Sequence, residues 1–236
     1  MLCKGTNKTL HLQQKKILLG NFITFMFGKT LLQYFPSLSE KQLGQFEALE
    51  GLYAEWNEKI NVISRKDIEN INERHILHSL AIASFLGELK DDTSIVDVGT
   101  GGGFPAIPLA IFYPNVKFHL VDRIAKKLKV AEEIGKAVGL ENITIQHGDF
   151  SECHSMFDYA VSRAVMQLKP LIKTVCRNIN PHNANNHPNG LICLKGGDLA
   201  EEIRGINRPV VEIPVSEYFK GEFFDTKKII NVPISV

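Results

Sequence analysis

The sequence predicts an α/β fold: a seven-stranded, mostly parallel sheet preceded by a helical extension. Three observations carry that prediction. From Ser94 onward, short apolar runs alternate with stretches of helical periodicity. The run Ile95-Val96-Asp97-Val98 breaks into Gly99-Thr100-Gly101-Gly102-Gly103 and then opens a helix pattern. The next strand pattern, Val116 to Val121, ends in an acid, Asp122.

Taken in order, residues 1–30 read as a leader, either poorly ordered or the product of a misplaced start, with Met26 as the alternative first residue. Lys15-Lys16 precede an apolar run from Ile17 to Phe27, which imitates a signal peptide, but no small-x-small cleavage site follows. The run is also too short for a bilayer, which takes about 20 residues. Residues 31–90 form the helical extension. A helix is expected over 38–60, opened by the capping-box pair Ser39 and Gln42 and carrying Leu43, Phe46, Leu49, Tyr53, Trp56 and Ile60 on one stripe. A second is expected over about 67–86. Two helices cannot enclose a core of their own, so they should pack on the sheet domain, 91–236. There, strands are expected near 94–98, 117–121, 143–147, 157–162, 190–195, 209–215 and 227–234, and helices near 105–113, 124–139, 168–179 and 198–204. The last two strands have no helix pattern between them and should pair antiparallel at the sheet end. The Asn-rich stretch 178–189 reads as a surface loop.

The bulk numbers narrow the chemistry. A net charge of +1 gives no global basic field, so any nucleic acid must be met by a local patch. The four cysteines form no C-x-x-C pair, which speaks against zinc and suits a reducing cytoplasm. His75 and His78 share a helix face without a third ligand nearby, so no metal is expected. A membrane is not expected as a partner either, and the chain reads as a monomer.

In an open α/β sheet, ligands bind beyond the carboxyl ends of the strands. Those ends supply Gly99, Gly101 and Gly103, then Asp122, then Asp149-Phe150, then Arg163, then Lys195. Glycine lets a ligand approach bare backbone, and an acid at the second strand end accepts hydrogen bonds from ribose hydroxyls. Together they describe a nucleoside site. The dinucleotide fingerprint needs glycine at position 104, where Phe104 stands. The spacing Asp97-x-Gly99-x-Gly101-x-Gly103 instead resembles motif I of the S-adenosylmethionine (SAM) methyltransferases of Rossmann-like fold. Asp149 can accept from the adenine amino group or merely cap a turn. Phe150 can pack against the adenine ring. Arg163 suits carboxylate or phosphate recognition by its planar fork, or a salt bridge to the next helix. Lys195 can reach RNA phosphate or the methionine carboxylate, or remain a solvated loop lysine. The fourth strand ends in Ser162-Arg163-Ala164-Val165, without the Asn/Asp-Pro-Pro-aromatic run that serves exocyclic amines. Cys176 and Cys193 are not placed as nucleophiles for carbon methylation, and Cys153, which could be, lacks an obvious activating partner. An acceptor that already carries a lone pair, such as guanine N7, fits what remains.

At this point the chain resembles a known family, the bacterial 16S rRNA guanine-N7 methyltransferases called RsmG or glucose-inhibited division protein B. The similar segments are Trp56-Asn57-x-x-x-Asn61-Val62-Ile63-Ser64-Arg65, Arg74-His75-Ile76-Leu77-His78-Ser79, Asp97 to Pro105, Leu120-Val121-Asp122, Ser162-Arg163-Ala164 and Leu194-Lys195-Gly196. They span roughly residues 31–232. The resemblance implies SAM as cofactor, a guanine of small-subunit 16S rRNA as acceptor, and a donor pocket lined by Gly99, Phe104, Asp149, Phe150 and Arg163. It implies orientation by Arg163 and no general base. It places Asn57, Asn61, Arg65, Arg74 and His75 in motifs that face RNA or brace the site. Arg123, Lys126 and Lys195 are further RNA-contact candidates. Three departures stand out: His78 where the family often has Asp, Ala106 for a usual Gly, and Arg123 where Ser is common.

The alternatives are a SAM-dependent methyltransferase of another substrate, a catalytically silent RNA-binding assembly factor, and a nicotinamide-dependent oxidoreductase, against which Phe104 argues.

Overall fold

A computed structural model describes residues 27–64, 66–163 and 165–235. The leader, Arg65 and Ala164 therefore lie outside the described residues, apart from 27–30, which belong to a first helix, α1, described over 27–34.

The sheet has seven strands: β1 (Ser94–Val98), β2 (Lys117–Asp122), β3 (Ile143–His147), β4 (Tyr159–Arg163), β5 (Gly190–Gly196), β6 (Val211–Pro214) and β7 (Lys227–Pro233). Their order is β3-β2-β1-β4-β5-β7-β6. The first five in that row run parallel, while β7 is antiparallel to both β5 and β6. The chain turns back across the sheet between β1 and β4, which leaves a crevice at their carboxyl ends. Every expected strand is present. The expected antiparallel pairing of the last two is found, with β7 inserted beside β5 and the shorter β6 on the edge.

Burial alternates along the strands and builds two cores. Ile95, Phe118, Leu120, Tyr159, Val161, Ile192, Leu194 and Ile229 point to one face. Val96, Val98, Val121, Ala160, Leu191, Cys193, Ile230 and Val232 point to the other. The first face is covered by α2 (Glu40–Lys59), α3 (His78–Leu86), α4 (Ala106–Phe112) and α5 (Ala125–Ala137). The second is covered by α6 (Leu168–Val175) and the single turn α7 (Ala200–Ile203).

Helix α2 begins as its sequence demands. Ser39 Oγ accepts from the Gln42 N–H, and Gln42 Oε1 accepts from the Ser39 N–H at 3.0 Å. Phe46, Leu49 and Tyr53 are its buried stripe.

The second expected helix is not continuous. It divides into a 3₁₀ turn (Ile68–Asn70), a π-helical stretch (Asn72–Leu77) and α3. A π turn takes an extra residue into the helix and rotates the turns after it. Nothing in the local apolar pattern encodes that. Within the π-helical stretch, His75 meets Arg163 of β4, while Arg74 pairs with nearby Asp67 and lies over the Phe223 ring. Helix α3 is buried nearly all round, from His78 to Ala83, as expected of an element held between the extension and the sheet. The expected 168–179 helix also tightens, becoming 3₁₀ at Cys176–Asn178. The Asn-rich loop is at the surface but rooted: the Asn178 and Asn189 amides are buried and donate to loop carbonyls. Among the described residues, no helix is long and apolar enough to cross a membrane.

Candidate functional site

Strand β1 delivers the glycine turn and two carboxylates fix its shape. Asp97 is fully buried beneath it, and its Oδ2 accepts from Thr100 Oγ1 at 2.8 Å and from the Ala106 N–H at 3.1 Å. Burial pushes its carboxyl up to about 7. Asp122 binds the turn from the side: Oδ2 accepts from the Gly101 N–H at 2.7 Å and Oδ1 from the Ile124 N–H at 2.8 Å. An ionised carboxylate offers about four lone-pair sites, so each oxygen can still accept a hydroxyl. Gly99 and Gly101 stand at φ +72° and +57°, where side chains are strained. A Cβ on Gly99 would lie 2.6 Å from a Val165 methyl, whereas one on Gly101 would meet nothing within 4 Å. The turn is therefore packed on one side and open on the other.

The open side is a cleft of about 700 Å³. Gly99, Gly101, Phe104, Asp122, Asp149, Phe150 and Arg163 line it, so the sequence candidates come together. Gly103 does not line it. It closes the turn with its N–H on the Thr100 carbonyl at 2.9 Å, and its role is to shape the loop. Asp149 has a turn-capping part: Oδ1 accepts from the Ser151 N–H at 2.8 Å and Oδ2 pairs with Arg123. The Ser151 backbone first, and Arg123 after it, hold its carboxyl below the ordinary range. Phe150 is buried at the wall.

Arg163 ends β4 beneath the cleft. Its guanidinium lies 5.0 Å from the Phe104 ring centroid, and Nη2 donates to His75 Nδ1 at 2.9 Å. Arginine has only donors, so His75 must accept and stay neutral. Burial and the Arg163 charge push its imidazole down to about 3. The salt bridge to the next helix offered as an alternative for Arg163 is not present among the described residues.

The extension reaches the same turn. Tyr53 Oη donates to the Gly102 carbonyl at 2.8 Å, and Tyr53 packs on Phe104. Val62 lines the cleft over Gly102. Asn57 is the residue that holds Val62 there: its Oδ1 accepts from the Val62 and Ile63 N–H groups and its Nδ2 donates to the Ile63 carbonyl. Of its two readings, Asn57 is a brace. Asn61, Arg123 and Lys126 are exposed. Arg65 lies outside the described residues.

Behind Arg163 is a second chamber of about 470 Å³, to which Arg74, His75, His78, Lys195, Phe223 and Lys227 contribute. Arg163 is a wall of both spaces. Arg74 pairs with Asp67 at 2.7 Å. Lys195 is not the solvated loop lysine that the sequence allowed. Its side chain is 12% exposed, pairs with Glu202, and donates to the Met166 carbonyl at 2.8 Å. Glu202 also accepts from the Leu168 N–H, at 2.5 Å. This pair fixes the loop from Val165 to Leu168, whose first two residues border the donor-side cleft. Sequence reading missed Tyr53, which looks like an ordinary stripe residue, Val62, which stood only within a family-like segment, and Glu202, which sits in a short polar helix with no motif around it. No group of three or more His, Cys, Asp or Glu side chains among the described residues could hold a metal ion.

Comparison with known proteins identifies the fold and the family. A Geobacter metallireducens precorrin-6y C5,15-methyltransferase superposes with a TM-score of 0.50 at 17% identity, covering 73% of this chain and 90% of that one. An Aquifex aeolicus SAM-dependent methyltransferase gives 0.50 at 15% identity over 72% and 98%. At those identities they show the fold, a Rossmann-like methyltransferase sheet. Ribosomal RNA small subunit methyltransferase G of Bacteroides thetaiotaomicron is 54% identical over 85% of this chain and 97% of its own length. The Bacteroides fragilis protein of the same name is 53% identical over 87% and 100%. Residues 42–213 match the family GidB, rRNA small subunit methyltransferase G. With more than half the chain matched, and relatives at this identity, this protein belongs to the GidB family of SAM-dependent rRNA small subunit methyltransferases.

Proposed function

We propose that this chain transfers a methyl group from SAM to N7 of a single guanine in the 16S rRNA of the small ribosomal subunit, in the cytoplasm where that RNA is made. One observation carries the reading. The cleft bordered by the glycine turn, Asp122 and Phe150 adjoins a second chamber through one shared side chain, Arg163. A donor on one side and a base on the other would meet there.

The residues suit the donor. Asp122 has lone pairs left for two ribose hydroxyls. Phe150 offers an apolar wall to adenine, with Asp149 beside it. The open flank of Gly101 admits the amino-acid end without a Cβ in the way. When bound, the sulfonium supplies an electrophilic methyl. The chain's own part is positioning, since guanine N7 already holds its lone pair and no proton needs removing before attack. Arg163, fixed by His75 and Phe104, orients the two sides. Arg123, which borders the cleft and pairs with Asp149, and the exposed Lys126 are the cations that would meet phosphates as the RNA approaches.

The test is a methyl-transfer assay on small ribosomal subunits and on their deproteinised rRNA, both from cells lacking this activity, with N7-methylguanine mapped by reduction and strand cleavage. One labelled guanine is expected. Label on a base other than guanine, or on no RNA, overturns the reading.

A further inference from the structure

Guanine N7 lies in the major groove of paired RNA, which is deep and narrow in the A form. An enzyme that reacts at such an atom must take the base out of the stack and hold it. The second chamber carries the features of such a holder, and two of its polar atoms have no partner within the protein.

His78 is 6% exposed and lines the chamber. The Nε2 atom of His78 is buried with no partner. With the ring proton on Nδ1, Nε2 is a bare lone pair. Burial and the neighbouring Arg163 and Lys227 charges push this imidazole down to about 3, so the lone pair stays free at neutral pH. Arg74 Nε is likewise buried without a partner, and it can only donate. A lone pair and an N–H left unpaired in this way cost free energy until a complementary group fills them. A phosphate could satisfy Arg74 but would be repelled by the His78 lone pair. Apolar walls come from Leu194, Leu199 and Phe223.

We propose that this chamber receives the extruded target guanine and that His78 and Arg74 read its edge, His78 Nε2 accepting from N1–H and Arg74 Nε donating to O6. The proposal rests on the N7-methyltransferase reading above. The arrangement rejects adenine twice: the N6 amino group would face the Arg74 donor, and the N1 lone pair would face that of His78. The Arg74 carbonyl accepts from Arg163 Nη1 at 3.4 Å, and Arg163 lines the chamber beside both side chains. The face that reads the base is therefore tied to the wall shared with the donor cleft.

The test uses the full chain. Calorimetry with S-adenosylhomocysteine and steady-state methylation of deproteinised small-subunit rRNA are measured for the parent, His78→Leu and His78→Gln. His78→Leu should lower kcat/KM for rRNA by on the order of tenfold or more while product affinity stays within about twofold. His78→Gln, whose amide oxygen can accept, should recover part of the loss. If the parent methylates rRNA and His78→Leu matches it, the inference falls and the wider reading stands. If the parent binds the product but methylates no RNA, both fall. Should His78→Leu not fold, ¹⁵N NMR of the parent answers the question. With S-adenosylhomocysteine present, the His78 Nε2 resonance should move on adding guanosine 5′-monophosphate and not adenosine 5′-monophosphate. No movement with the guanine nucleotide, or equal movement with both, overturns the inference.

Discussion

The two spaces on either side of Arg163 are built from different materials. The donor cleft is largely a backbone object: a turn of contiguous residues at the end of β1, clamped by carboxylates that grip N–H groups. The second chamber is a side-chain object, assembled from the π-helical stretch, β5, α7 and the approach to β7. A backbone site has its geometry fixed by strand register and fails when an atom is added to it. A side-chain site can be altered one group at a time. The difference predicts where each is fragile.

The sharpest break should come from Gly99→Val, which adds strain at positive φ and a clash with Val165. Affinity for S-adenosylhomocysteine should fall on the order of a hundredfold by calorimetry, from about 3 kcal/mol of strain. Near-parental binding would show that the turn is softer than a backbone site should be. Next is Glu202→Ala, on the chamber side, which strands the largely buried Lys195 ammonium and frees the Leu168 N–H. About 2–3 kcal/mol of stability should be lost in urea denaturation. An unchanged midpoint would mean that the pair does not hold its loop. Asp122→Ala should weaken S-adenosylhomocysteine binding by about 1–3 kcal/mol, and an unaltered binding isotherm would remove the acid from the donor site.

The smallest effect, counted per pH unit, concerns Asp97. Its folded carboxyl titrates near 7, above the ordinary 3.8. Between those values the native chain keeps a proton that the unfolded chain has lost, so this group's contribution to stability falls as pH rises. The slope approaches on the order of 1 kcal/mol per pH unit within the window. Asp97→Asn should flatten the stability profile between about pH 4 and 7. A parental slope in that variant would assign the dependence elsewhere.

The same contrast explains what could be read from the sequence. The strands, the capping box at Ser39 and the cluster of Gly99, Gly101, Asp122 and Phe150 were legible, because local pattern and strand order place them. The π-helical stretch was not, because the local apolar pattern carries no sign of an extra residue in the turn, and the partner of His75 lies 88 residues away on β4. Lys195 was misjudged because its partner, Glu202, comes from a separate element with no motif of its own. Asn57 lay between two readings until its amide was seen closing on Val62 and Ile63.

The hydroxyl of Tyr53 on the Gly102 carbonyl has a practical corollary. A shortened version starting at Ser94 would keep every strand yet lose the phenol that pins the glycine bend, and the Val62 methyls that roof it. Anyone trimming this enzyme to a minimal catalytic unit should expect the cut to empty the donor seat, even if the remaining sheet still forms.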